Sequence, residues 1–164
     1  MDGVIRWVRA GHIGERIPEC PPLATATDHL EAGADVQAFI TVARTHLGVA
    51  YLWGGMCDME LDCSGLVHLS LRRLGVVIPR DAGDQYDACE HVPAVEARPG
   101  DLFFFVHEGK RPHHMGIVTG SGRMLHASET DSVIIEEPLT PARRGTLIGA
   151  GRLPLLPSVT GGSR

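Results

Sequence analysis

A chain of 164 residues, 43% of them hydrophobic, can bury one substantial core and leaves no room for a second full-sized domain. The net charge of -5 and a sequence pI near 6.0 leave no basic surface for nucleic acid. The apolar runs are short and interrupted, so no membrane insertion is expected.

The first 34 residues are punctuated by Gly11, Gly14, Pro18, Pro21 and Pro22. Only residues 4–8 (VIRWV) alternate as a strand would, and the remainder reads as an arm or linker. This stretch has neither a continuous apolar region nor a small-residue cleavage site. A cytoplasmic location is therefore expected for the chain as it stands, or secretion if it is a processed form. Four cysteines, at 20, 57, 63 and 89, are too few and too irregularly spaced for a disulfide framework, and free thiols suit the same compartment.

From Asp35 the pattern changes. Val36, Phe39, Ile40, Ala43 and Leu47 share one face of a helix, with Asp35 as N-cap and Gly48 as its C-terminal stop. A loop with Gly54 and Gly55 follows, and a second helix opens at Cys63. Its buried stripe is Leu66, Val67, Leu71 and Leu74, and Gly75 ends it. Past the turn at 97–101 the chain becomes strand-like. DLFFFV, HMGIVT, RMLHAS and SVIIEE are four short β runs, and GTLIGAGRL is a weaker fifth. Phe103, Phe104 and Phe105 suit a strand buried on both faces, whereas Glu136 and Glu137 read as a solvated acidic pair. The tail from 158 to 164 is polar and expected to be disordered. Helices followed by an antiparallel meander predict an α+β domain spanning 35–157, with helices packed on a sheet of about five strands.

Cys63 lies where the second helix begins, and unpaired N–H groups there favour a thiolate. Small Ser64 and Gly65 would let a substrate backbone approach. A lone cysteine is usually only a buried one, but two histidines alter that weighting. If 114–119 and 123–128 pair symmetrically about 120–121, residue 114 falls opposite 126 or 127, making His114 and His126 cross-strand neighbours. His114 then acts as base toward Cys63 and His126 orients it. The backbone N–H of Cys63 and the hydroxyl of Tyr51 are oxyanion donors. No metal or other cofactor is expected: Cys57, Cys63, His113 and His114 are poorly spaced as a ligand set, since adjacent strand residues point to opposite faces.

Six motifs occur in order between Asp35 and Leu153: Tyr51-Leu52-Trp53-Gly54-Gly55, Asp62-Cys63-Ser64-Gly65-Leu66-Val67, Pro79-Arg80-Asp81, Arg98-Pro99-Gly100-Asp101-Leu102, His114-Met115-Gly116-Ile117-Val118 and Leu125-His126-Ala127-Ser128. In these the chain resembles the NlpC/P60 cysteine peptidases, bacterial enzymes that cut cell-wall peptides. The resemblance implies a papain-like α+β fold, a Cys-His-His arrangement, and cleavage between γ-D-glutamate and a diamino acid in peptidoglycan-derived peptides. The spelling of the first motif is similar to the branch that trims free muropeptides. There Asp62 would bind the peptide's free amino group, and Trp53, Ser64, Arg80 and Asp81 would line the same pocket. That branch carries SH3-like domains ahead of the peptidase. Only residues 7–12 resemble the end of one, so the arm would pack on the peptidase or on a second subunit. Ala82 stands where a hydroxyl residue is common. Alternatives sharing the nucleophile and base are an amidase, an acyltransferase or a transglutaminase-like enzyme. A non-catalytic binding module is another.

Overall fold

The computed structural model describes residues 35–107, 110–120 and 122–154. The amino-terminal arm, its strand at 4–8, its proposed contact with a second subunit and the tail at 158–164 lie outside them.

The first helix, α1 (Val36–Arg44), opens on Asp35, whose carboxylate accepts from Gln37 N, and buries Phe39, Ile40 and Ala43. It ends four residues before Gly48. Thr45 Oγ1 donates back to Val42 O at 2.7 Å, and Gly48 N–H pairs with Ile134 O across the molecule instead of with its own helix. Leu47, expected on the buried stripe, is consequently 47% exposed. Three short strands follow: β1 (Ala50–Tyr51), β2 (Met56–Cys57) and β3 (Glu60–Leu61). After them come α2 (Cys63–Arg72), α3 (Ala82–Asp87) and β4 (Glu90–Val92). The five runs expected to be strands are strands: β5 (Leu102–Phe105), β6 (His114–Gly120), β7 (Arg123–Ser128), β8 (Val133–Pro138) and β9 (Leu147–Arg152). A helical turn, α4 (Pro141–Arg144), precedes the last.

All nine strands form one sheet in the order β2-β3-β1-β8-β7-β6-β5-β9-β4. The expectation of about five strands is corrected to nine. The additional four are two or three residues long, too short to carry a period-two signal; β1 and β4 join the edges made by β8 and β9, and β3 and β2 add on beyond β1.

The sheet separates two apolar layers. On one face Leu102, Phe104, Met115, Ile117, Leu125 and Ala127 pack with α1 and with Leu66, Val67 and Leu71 of α2. On the other, Phe103, Phe105, Val118 and Met124 pack with Leu139 and Ala150. The Phe103–Phe105 run is thus buried on both faces. At its entry the buried Asp101 accepts from Arg98 N at 2.8 Å and takes a two-pronged ion pair from Arg152 at 2.9 and 3.0 Å. The turn 97–101 is closed by that pair as well as by its proline and glycine.

The β6–β7 register differs from the symmetric one expected. Ile117 pairs with Leu125 and Val118 with Met124, then the register slips before Gly120 pairs with Arg123. Extended upstream, this sets His126 opposite Gly116, and His114 becomes its diagonal neighbour. Gly116 matters for that reason. A Cβ there would stand 3.1 Å from the Cβ of His126 and 3.1 Å from the sulfur of Met124.

Candidate active site

The start of α2 is a bound network. Asp62 caps the helix, with Oδ1 accepting from Gly65 N at 2.7 Å and from Ser64 Oγ at 3.3 Å. Its Oδ2 accepts from Gly54 N and Arg80 Nη2, each at 2.7 Å. A carboxylate has about four acceptor positions, and here all are used. Arg80 also donates to Ser64 Oγ at 2.8 Å and Gly55 O at 3.1 Å. The room left by Gly65 is filled by the chain itself: a Cβ there would meet Gly55 O at 2.3 Å. Gly65 therefore admits the Gly54-Gly55 loop, where substrate backbone was expected. Gln85, which no motif singled out, is buried on α3 and donates from Nε2 to Ser64 O at 3.1 Å and Pro79 O at 2.9 Å, tying α3 to the same corner.

Cys63, the first residue of α2, is 6% exposed. Its Sγ faces the entry to β6, 4.0 Å from the carbonyl of His113, the residue before His114. Among the described residues no hydrogen bond joins the sulfur to either ring of the histidine pair. The sequence led us to expect a thiol with a lowered pKa, and the structure reverses this. Burial, and next the adjacent Asp62 charge, push it up to about 11, outweighing the backbone N–H groups of Met115 and Ser64 and the charge of Arg80.

His114 and His126 meet across β6 and β7 with His114 Nε2 3.0 Å from His126 Nδ1, the rings close to perpendicular at 81°. Burial, and then the neighbouring ring, bring His114 down to about 3. Burial, and then Arg143, do the same to His126. The resting pair is therefore two neutral imidazoles. Behind them Glu137, read from sequence as solvated, is in contact with the far nitrogen of His126 at 3.1 Å and with Arg143 Nε at 2.6 Å. Its neighbour Glu136 pairs with Arg44 at 2.9 Å. Strand alternation points the two glutamates apart but could not reveal that Glu136 meets Arg44 of α1 and that Glu137 meets Arg143, six residues on in α4.

The depressed histidines have a consequence for stability. The unfolded chain takes up protons below about pH 6.5, whereas the folded pair stays neutral down to about 3. The stability contributed by the neutral rings is therefore complete above pH 6.5 and is lost as pH falls toward 3, on the order of 2 kcal/mol for His126 by pH 5. A lower Tm at pH 5 than at pH 7 is expected, with a smaller difference in His126→Gln. An unchanged difference in that variant would mean that the protons go elsewhere.

A cleft of about 490 Å³ opens beside the pair, with Tyr51, His113, His114, Glu129, Asp131 and Arg143 on its walls. Burial, and after it the nearby Cys63 and acidic groups, raise Tyr51 to about 12, so its hydroxyl keeps its proton and can donate. Of the remaining expected residues, Trp53 is 82% exposed. The exposed carboxylate of Asp81 lies 3.8 Å from Arg80 Nη1. The structure thus gathers Asp62, Ser64 and Arg80 in one network and Tyr51 with His114 in the cleft, and leaves Trp53 and Asp81 at the surface. Among the described residues no helix is long and apolar enough to cross a membrane.

The NlpC/P60 family profile matches residues 48–152. The chain is 38% identical over 131 residues to the gamma-D-glutamyl-L-lysine dipeptidyl-peptidase of Bacillus subtilis, covering 79% of this chain and 40% of that protein. It is 37% identical over 120 residues to the peptidoglycan endopeptidase RipB of Mycobacterium tuberculosis, covering 65% of this chain and 49% of that one. Among solved structures, an NlpC/P60 family protein from Bacillus cereus superposes with a TM-score of 0.72 at 31% identity, over 77% of this chain and 42% of the other. The chain spans less than half the length of each of these proteins.

Proposed function

Since the chain belongs to the NlpC/P60 family, we propose that it is a cysteine peptidase hydrolysing γ-D-glutamyl-diamino acid bonds in cell-wall peptides with an open amino end. The single observation carrying this reading is the His114–His126 contact of 3.0 Å, set on strands whose entry touches the buried thiol at the head of α2.

In this reading the Cys63 thiol gives its proton to His114 Nδ1, and the sulfur attacks the γ-carbonyl carbon of D-glutamate. Because thiol and imidazole both rest neutral, the transfer accompanies substrate binding instead of preceding it. The backbone N–H of Cys63, unpaired within its helix, and the protonated Tyr51 hydroxyl stabilise the tetrahedral oxyanion. Collapse expels the diamino acid, whose amine leaves with the proton from His114. Water, deprotonated by the same ring, then cleaves the thioester and restores the thiol. The leaving group departs on the His114 side, into the cleft, where Glu129 and Asp131 suit its side-chain ammonium. At the other end Asp62, Trp53, Ser64, Arg80 and Asp81 are assigned to the amine-bearing residue. With its acceptor positions filled, Asp62 would attract the ammonium by charge through a shared oxygen.

Defined muropeptides with free and N-acetylated amino ends, assayed by mass spectrometry, test this. Cleavage between D-glutamate and the diamino acid is expected, with kcat/KM on the acetylated peptide lower by about tenfold or more, the scale of one hydrogen bond to a charged group. Equal rates on the two peptides would refute the amine-binding role. Intact peptides throughout, with turnover of another acyl donor, would replace the peptidase by a different acyl-transfer enzyme.

A further inference from the structure

We propose that Glu137, held by Arg143, is a positioning residue that decides which nitrogen of His126 carries the proton, and so aims the lone pair of His114 at the thiol. The proposal rests on the reading above, in which His114 is the base.

Both ring nitrogens of the fully buried His126 are engaged, Nδ1 with His114 Nε2 at 3.0 Å and Nε2 with Glu137 Oε1 at 3.1 Å. A neutral imidazole has one N–H and one lone pair, so it donates one of these bonds and accepts the other. Arginine can only donate, and Arg143 Nε donates to that same Oε1 at 2.6 Å. Oε1 is therefore an acceptor, and His126 carries its proton on Nε2. Its Nδ1 must then accept, which obliges His114 to donate from Nε2 and leaves the His114 lone pair on Nδ1. That tautomer can take the thiol proton. With His126 reversed, His114 would be protonated on Nδ1 and useless as a base.

The chain builds this arrangement locally. After β8, Thr140 caps a four-residue helical turn with Pro141 at its start, and the turn brings Arg143 back over Glu137, where Nη2 also reaches Ser128 Oγ at 3.4 Å. Among the described residues, the charged and titratable groups around the pair include His113 just ahead of β6, Cys63 on α2, Asp131 in the turn after β7, Glu137 on β8 and Arg143 on α4. Removing the Glu137 charge would leave Arg143 unbalanced beside the imidazolium that forms during catalysis.

The tautomer can be read directly from ring nitrogen shifts of ¹⁵N-histidine-labelled protein at pH 7. The expected spectrum has His126 and His114 each protonated on Nε2. In Glu137→Gln, a mixture of tautomers is expected, with kcat down about tenfold or more and KM within about twofold, the scale of groups that orient a ligand or base from behind. The acid limb of its kcat/KM profile should move to lower pH, because the imidazolium is harder to form. Glu137→Asp, which keeps the charge, should recover part of the rate. His126 protonated on Nδ1 in the unmodified protein would overturn the proposal, as would wild-type kcat and pH profile in Glu137→Gln. The spectrum needs no substrate. A chain that cut no wall peptide would remove the peptidase reading, while this tautomer assignment would still be decided by the spectrum.

Discussion

Cys63→Ala is expected to lower kcat on a γ-D-glutamyl-diamino acid peptide by about 10⁴-fold or more, the cost of deleting a nucleophile whose partners act as a unit with it. Among the described residues no neighbouring group can substitute. Ser64 Oγ is committed to Arg80 and Asp62, and Cys57 and Cys89 lie elsewhere, on β2 and after α3. Folding should be little affected, because the change removes one sulfur at the edge of the core and leaves the Asp62 cap with all four donors. A circular dichroism melt within a few degrees of the parent would document that. Full turnover by the variant would remove Cys63 from the chemistry.

The second large effect is the loss of the proposed base. His114→Ala should reduce kcat by about 10³- to 10⁴-fold, since the resting thiol, raised to about 11, needs a specific acceptor for its proton. His126→Ala should cost less, about 10- to 100-fold, the range seen when a supporting ligand is removed and the acting group remains. His114 would keep its place next to Phe105, with ring centroids 5.5 Å apart, but lose the partner that fixes its tautomer. Single-turnover kinetics on both variants give the ranking. A larger loss in His126→Ala would exchange the roles of the two rings.

The amino-acid sequence carried the position of Cys63 at a helix start, the five longer strands and the pairing of the segments holding His114 and His126. All three depend on short-range signals: a cap, a period of two, a glycine-rich turn. The expected register, with 114 opposite 126 or 127, is off by one or two residues, because the ladder slips between Val118 and Gly120 and Ile117 pairs with Leu125. The symmetric reading still joined the same two histidines, since a diagonal neighbour is within reach of an imidazole.

Other features depend on distance in space. Glu137 looked like a solvated carboxylate because nothing nearby in sequence shows that α4 folds back to set Arg143 against it. The filling of the Gly65 gap by Gly55 O and the saturation of Asp62 by Arg80 join segments separated by ten or more residues, and the burial that raises the thiol's pKa comes from the elements packed around α2. Caps, alternation and motif order are local properties of the chain, and they determined the fold class and singled out Cys63, His114 and His126 as the candidate set. Solvation and ion pairing depend on every neighbour within a few ångströms, whatever its place in the chain. Only the tertiary structure could therefore decide the protonation of the site and the carboxylate standing behind it.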